Sequence, residues 1–241
     1  MADVVIFGTG KMAQMAKVYI DRHGPHRIVG FTVDAEFKTS ETFEGHPVIV
    51  WEDLERHFPP DSVELLGPMT AKRLNGVRRD RFNEGLARGY DFASFIHPNN
   101  YIYTDAIGKN CIVLENNVLQ PFASIGDNVI IWSGCVIAHH VSIGAHCFIS
   151  SQCGISGSTT IGEQCYMAGK VGIGPDVTVG DQCFLGGQVG IGAGVRIGDR
   201  CVLLDGAGVV RDLPDETVVR VTRGVRGNIQ AFPSSRIRHI F

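Results

Sequence analysis

The chain has 241 residues, 44% of them hydrophobic and 20% charged, with a formal net charge of −3. That length allows one or two domains with a real core, and the near-neutral balance offers no electrostatic footprint for nucleic acid or an anionic membrane surface. No run of about eighteen apolar residues is present to span a bilayer, and the opening MADVVIFGTG lacks the basic region and long apolar run of a signal peptide.

In chain order, residues 4–7 (VVIF) predict a short buried strand, followed by GTGKMA and an amphipathic helix to about Arg22. Residues 27–33 (RIVGFTV) predict a second strand ending at Asp34, HPVIV at 46–50 a third, WEDLERHF a helical segment, and VELLG at 63–67 a fourth strand. A charged helix is expected from about Ala71 to Arg88, with DFASFI at 91–96 closing the unit. Strands alternating with helices imply a parallel sheet with crossovers. About 95 residues build only half of a doubly wound sheet, so a Rossmann-like α/β domain over 1–97 is expected.

Gly8-Thr9-Gly10-Lys11-Met12-Ala13 is a G-x-G-x-x-A turn between a strand and a helix. Backbone amides at such a helix start favour a phosphate, which makes Gly8, Gly10, Lys11 and Met12 candidate ligand-binding positions. Asp34 sits where an acid accepts from ribose hydroxyls. A half-sheet suits a mononucleotide with an attached group better than a dinucleotide, which straddles two halves. Lys72, Arg73, Arg78, Arg79, Arg81 and Arg88 stud the charged helix, mostly as a solvated face from which one could approach a diphosphate.

From 98 onward a different clock runs. Ile-Gly or Val-Gly recurs at Ile107, Ile125, Ile143, Ile161, Val179 and Ile197, each eighteen residues after the last, and every sixth residue from Ile107 to Val209 is Ile, Val, Leu or Met. One buried position per hexapeptide is the signature of a solenoid of short parallel strands. Three strands and three corners make a coil of triangular section. Coils stacked about 4.8 Å apart put residues eighteen apart directly above one another. About six coils are expected over 98–218, with the Gly after each Ile supplying a corner conformation that a Cβ would strain. Phe95 and Tyr101 fall on the same beat and are expected as aromatic plugs at the open end.

All seven cysteines, Cys111, Cys135, Cys147, Cys153, Cys165, Cys183 and Cys201, lie four residues after an aliphatic slot. A shared phase means small buried wall positions, neither disulfides nor metal ligands nor nucleophiles. Unpaired thiols suit a reducing compartment, so a cytoplasmic protein is expected. His139 and His140 occupy a corner, two and three places after Ile137, and corners face outward. Gly157 lies eighteen residues after His139, one coil above it, where no side chain obstructs its backbone N–H. These three are the catalytic candidates. His146 sits at a different corner, where a zinc site shared between subunits is conceivable, but 139, 140 and 146 make no metal-ligand spacing and no metal is expected. Residues 219–241 read as a cap in which Arg220, Arg223, Arg226, Arg236 and Arg238 are solvated, or in which one or two of them meet a phosphate.

With VVIFGTGKMA, the strand ending at Asp34, ARGYDFASFIHP at the junction and VIAHHVSIG, the sequence resembles the hexapeptide-repeat acyltransferases with a left-handed β-helix. Within them it is similar to the bacillosamine N-acetyltransferase and sialic acid O-acetyltransferase group. The resemblance implies a homotrimer, acetyl-CoA lying between adjacent prisms against Gly157, Gly174, Gly187 and Gly192, and a nucleotide-activated sugar on the N-terminal domain. It further implies that His139 is the general base and that the Gly157 amide meets the thioester carbonyl. Two departures stand out: His140 replaces the usual carboxylate after that histidine, and Phe148 takes the place of a second histidine. The implied reaction is N-acylation of a nucleotide-linked amino sugar in surface-glycan synthesis, with O-acetylation of a sugar hydroxyl or non-catalytic nucleotide-sugar binding as alternatives.

Overall fold

The computed structural model describes residues 1–67, 70–221 and 230–233. Residues 3–92 carry a six-stranded sheet: β1 (Asp3–Phe7), β2 (Arg27–Val33), β3 (Thr42–Phe43), β4 (His46–Val50), β5 (Glu64–Leu66) and β6 (Asp91–Phe92), in the order β3-β4-β2-β1-β5-β6. All pairings are parallel except the β3–β4 hairpin. Three helices connect them: α1 (Lys11–His23), the single turn α2 (Leu54–His57) and α3 (Gly76–Ala87). This is the expected half of a doubly wound sheet. The charged helix starts later than Ala71, because Arg73, Leu74 and Asn75 all adopt left-handed φ of 47–66° and cannot lie in a right-handed helix.

The remainder is a left-handed parallel β-helix of two-residue strands on three faces. The first face begins at Phe95–Ile96, the second at Tyr101–Ile102, and the third at Ser124–Ile125, preceded by a single bridge at Ile107. Slot residues from all three faces fill one continuous core of Val, Ile, Leu, Met and Cys. The prism makes seven turns rather than six, because two shortened coils flank the regular ones. Ile96 pairs with Val113 and Ile102 with Leu119, each 17 residues away, while Leu203 pairs with Val219, 16 away.

The missing residue corrects the expected aromatic plugs. Between Ile102 and Ile107 the beat is five residues, so Ile96 and Ile102 take the inward slots. Phe95 and Tyr101 are turned outward; Phe95 is buried under the N-terminal domain and Tyr101 is 66% exposed. The prism thus starts at Phe95, inside the segment assigned to the sheet.

The role assigned to the repeat glycines also changes. Their φ angles are not left-handed; the positive φ falls two residues later, at Asn110, Asn128, His146, Gln164, Gln182 and Arg200 on one edge. What excludes a Cβ is the next coil. At Gly108, Gly162, Gly180 and Gly198 it would lie 2.3–2.4 Å from Oδ1 of Asp127, Asp181, Asp199 and Asp215. Those carboxylates reach back to accept N–H bonds of 2.7–3.0 Å from Lys109, Glu163, Asp181 and Asp199.

The seven cysteines are free and at most 1% exposed. Cys147, Cys165 and Cys183 each donate Sγ–H to the carbonyl of Gly162, Gly180 or Gly198 in the next coil at 3.1 Å. Burial pushes the Cys111 thiol up to about 11.

The N-terminal domain lies on the first face, where Ile112, Leu114, Ile130 and Phe148 pack with Phe95 and α1. A polar ladder along the edge between the third and first faces locks it. Asn110 donates to Asn128 at 2.9 Å, and Asn128 Nδ2 meets His146 Nδ1 at 2.9 Å. Arg78 of α3, 1% exposed, donates to the Asn128 carbonyl and side chain and to the carbonyls of His146 and Cys147. Arg78 is therefore a buried dock, not part of a solvated face, and burial pushes its guanidinium down to about 10. Arg223, Arg226, Arg236, Arg238 and most of the cap expected over 219–241 lie outside the described residues. Arg220 ends the strand Thr217–Arg220, which pairs antiparallel with Gln230–Pro233.

Candidate functional site

Two regions gather the candidate residues. The first is a cleft of about 410 Å³ at the C-terminal ends of β1 and β2, and it contains Gly8, Gly10, Lys11, Met12 and Asp34. Gly8 adopts φ +116°, which a side chain would strain, and donates its N–H to the Thr32 carbonyl at 2.7 Å. Gly10 caps α1 with an ordinary φ of −94°, and a Cβ there would meet nothing within 4 Å. Packing does not require this glycine, but a ligand lying on the backbone would. The first intrahelical bond is Gln14 N–H to Gly10 O at 3.0 Å, so the preceding amides of the first turn are left for an anion.

Asp34 lies 2.8 Å from Arg81 Nη2 through Oδ1, an ion pair whose N–H is not aligned on that oxygen, which leaves Asp34 Oδ1 without a hydrogen bond. The carboxylate is fixed at the cleft wall and keeps acceptor capacity. Sequence reasoning missed Phe37 and Thr70 in the lining and treated Lys72 as mostly solvated. Lys72 lines the cleft with its Nζ 5.8 Å from the Phe37 ring centroid. Because Thr70 and Lys72 precede α3, their approach to the GTGKMA turn is set by tertiary folding alone.

The second region is the edge between the second and third faces of the prism. His139 and His140 are both exposed there. The His139 ring fills the space beside Gly157: a Cβ on that glycine would sit 2.6 Å from Cε1 and 2.8 Å from Nε2. The sequence argument that Gly157 stacks over His139 therefore holds in atomic terms. The His139 N–H donates to Gln120 Oε1 at 3.0 Å, and its Nδ1 lies 3.1 Å from His140 Nδ1. His140 takes the left-handed corner with φ 58°, and its ring lies 4.7 Å from that of Phe122.

The glycine candidates separate. The Gly157 N–H has no acceptor among the described residues. The amides of Gly174 and Gly192 are already donated across the coil ladder, to Ile191 O and Val209 O at 2.8 Å. Their contribution is the absence of a side chain: with Gly154, Gly172, Gly190 and Gly208 they line an open trough of about 580 Å³ along the second face. Gly187 does not join them. Two places after Leu185 it turns the corner from the first to the second face, and its N–H is held by Asp205 Oδ1 at 2.8 Å.

His146 is also removed from any exposed site. It is 8% exposed, stacks edge-on to Phe82 at 5.8 Å, and is held at Nδ1 by Asn128. Burial, then Arg78 and Arg79, push its pKa down to about 4. Phe148 is buried beneath the N-terminal domain and stacked on Tyr166.

Residues 106–139 and 122–157 match the bacterial transferase hexapeptide repeat family, and 176–210 match the hexapeptide repeat of succinyl-transferase. Comparison with curated protein sequences returns no match. Among solved structures, the chain is similar to perosamine N-acetyltransferase of Caulobacter crescentus in complex with CoA and GDP-perosamine. The identity is 23% and the TM-score 0.66, over 95% of this chain and 98% of that one. A histidine-to-asparagine variant of that enzyme gives a TM-score of 0.67 at 23% identity, over 95% and 97% of the two chains. The acetyltransferase domain of PglB from Neisseria gonorrhoeae gives 0.61 at 23% identity, over 97% and 100%. At this identity the likeness shows a shared two-part fold. No helix among the described residues is long and apolar enough to cross a membrane.

Proposed function

We propose that this hexapeptide-repeat chain is an acetyl-CoA-dependent acyltransferase that acylates the amino group of a nucleotide-linked sugar. The observation that carries the reading is the His139 ring seated against Gly157, whose N–H has no acceptor among the described residues. A general base and an oxyanion donor thus stand one coil apart with no side chain between them. His139 Nε2 takes the proton as the sugar nitrogen attacks the thioester carbonyl. The Gly157 N–H receives the developing oxyanion, a donor worth roughly 3–4 kcal/mol in acyl transfer. The tetrahedral intermediate then expels the CoA thiolate. No acyl-enzyme is needed, since all seven thiols are buried in the wall.

The side-chain-free trough with Gly174 and Gly192 suits an extended thioester arm leading to Gly157. The cleft between Gly8, Gly10, Lys11, Lys72 and Asp34 suits the phosphates and ribose of the nucleotide. The N-terminal domain docks on the first face and on the edge it shares with the third, whereas His139 lies on the edge between second and third. A nucleotide sugar held in one chain's cleft is therefore better aimed at a neighbouring chain's histidine edge. This fits the homotrimer inferred from the resemblance, as do the exposed Tyr101, Tyr103 and Val136 on the second face. We assign the reaction to the cytoplasmic stage of surface-glycan synthesis, in keeping with the unpaired thiols.

The test is a panel of UDP-, dTDP-, GDP- and CMP-linked amino sugars with acetyl-CoA, read as thiol release and as product mass. Release with an amino sugar and not with its hydroxyl analogue supports N-acylation. The reverse pattern makes the protein an O-acetyltransferase, and no release with tight sugar-nucleotide binding makes it a non-catalytic binder.

A further inference from the structure

Among the described residues, His139 meets no carboxylate. Counting coil by coil, residues 118–125, 136–143 and 154–161, which comprise its own corner and the two packed against it, contain no Asp, Glu, Lys or Arg. The nearest charged side chains along this corner stack are Asp105 and Asp176, each two coils away on opposite sides. The polar groups around the ring are Gln120, held by the backbone N–H of His139, and Nδ1 of His140.

We propose that His140 is a positioning residue that selects the proton-accepting tautomer of His139, through an Nδ1···Nδ1 bridge steadied by the ring of Phe122. A 3.1 Å contact between two imidazole nitrogens holds one proton, so one ring donates and the other accepts. When His139 donates from Nδ1, its free lone pair is on Nε2, the atom facing Gly157, and His140 carries its own proton on Nε2. When His140 gains a second proton, its Nδ1 must donate. His139 then accepts at Nδ1 and holds its proton on Nε2, where it can no longer act as a base. One proton on either ring thus silences the pair, a behaviour that a fixed carboxylate would not give.

Phe122 is placed to serve this bridge. It is 73% exposed, adopts a left-handed φ of 65° that bulky residues rarely tolerate, and lies at 34° to the His140 ring. Its own burial gains little, while the stack fixes the plane in which His140 presents Nδ1. Pro121 O accepts the His140 N–H at 3.3 Å and sets the backbone of the same corner.

The inference rests on the acyl-transfer reading, and two experiments separate their failures. Imidazole nitrogen NMR of the whole histidine-labelled protein, without substrate, should show His139 protonated at Nδ1 and His140 at Nε2 above their titration. The opposite pair of tautomers overturns the proposal whatever the activity. The pH profile of kcat/KM then tests its consequence. His140→Asp keeps an acceptor and adds a charge that favours the His139 imidazolium, so the acid limb should move up by about one pH unit. His140→Gly suits the left-handed corner, as Gly134, Gly194 and Gly206 do at equivalent positions, and should lower kcat tenfold or more with KM within a few-fold. An unmoved acid limb in His140→Asp, or full kcat in His140→Gly, overturns the proposal. Absence of acyl transfer by the unaltered protein instead overturns the reading beneath it.

Discussion

Adding a single methyl group at Gly157 tests the histidine edge most sharply. A Cβ there would lie 2.6 Å from His139 Cε1, 2.8 Å from Nε2 and 3.1 Å from Nδ1, whereas ordinary contact begins near 3.4 Å. The ring must therefore retreat by about 0.8 Å. The backbone of Gly157 has no left-handed φ, so alanine brings no conformational strain, and the His139 ring is exposed, so it can yield toward solvent at the cost of its His140 contact. Gly157→Ala should change stability by less than about 1 kcal/mol, as at an ordinary surface position. Catalysis is less forgiving: displacing a reacting group by about 1 Å costs roughly a hundredfold, or about 2.7 kcal/mol of barrier. The backbone N–H survives the substitution, so the loss is one of position. The assay is thiol release at saturating acetyl-CoA and amino sugar nucleotide, beside a thermal melt. A variant that melts normally and turns over at the wild-type rate would refute the placement of His139 as base.

The other predictions follow the same geometry. His139→Asn should lower kcat by about 10² to 10⁴ with both KM values within a few-fold, and the defect should shrink as pH rises and the amine deprotonates unaided. His140→Asn should cost about tenfold at most; if it is the dead variant and His139→Asn is nearly normal, the base is the other imidazole. Asp34→Ala should raise KM for the nucleotide sugar and leave KM for acetyl-CoA unmoved, and an equal rise in both would remove Asp34 from the cleft's function. Cys183→Ala should leave turnover intact and cost about 1–2 kcal/mol of stability; a thousandfold activity loss in a folded variant would overturn its wall assignment. Acid should loosen the docked domain. The His146 pKa is pushed from 6.5 down to about 4, so the neutral ring's contribution is complete above about 6.5 and is lost as pH falls toward 4. At about 1.4 kcal/mol per unit that is at most about 3.4 kcal/mol, and about half that after allowance for solvent at the ring edge. His146→Gln should flatten the pH dependence of Tm between 6.5 and 4, and an unchanged slope would show that the ring is not the titrating group.

Much of the fold is written in the sequence because a solenoid repeats its physics. Position 137 and position 155 experience the same environment eighteen residues apart, so Ile at both marks an inward slot, and the stacking of Gly157 over His139 follows by counting. Counting fails where the period breaks. The five-residue step from Ile102 to Ile107 turned Phe95 and Tyr101 outward, and a one-residue slip in a strand exchanges its faces. The role of the repeat glycines was also hidden, since it depends on Asp127, Asp181, Asp199 and Asp215 reaching back from the following coil. In the N-terminal domain, the GTGKMA turn was legible from local backbone demands. Lys72 and Phe37 were not, because only the packing of α3 beside β2 brings them to the cleft. Arg78 read as one more exposed cation in a basic helix, and no local signal marks its insertion beneath Asn128.

The corners of the prism show how one backbone state carries two opposite tasks. The third residue after an inward slot is left-handed at Asn128, His140 and His146 alike, with φ of 57°, 58° and 64°. On the edge between the third and first faces this position is covered by α3. Its polar side chains then have to be satisfied by one another: Asn110 donates to Asn128, Asn128 bonds His146, and Arg79 donates to Gln164 at 2.6 Å. Each member left unpaired there would cost on the order of 1–3 kcal/mol, so that edge is fixed and its histidine is held neutral. On the edge between the second and third faces no described residue covers the same position. Among the described residues the His140 ring meets Phe122 and His139, and both imidazoles are exposed to solvent. A repeat that sets every corner to the same geometry thus leaves the choice between a buried latch and an open imidazole pair to what lies over the corner.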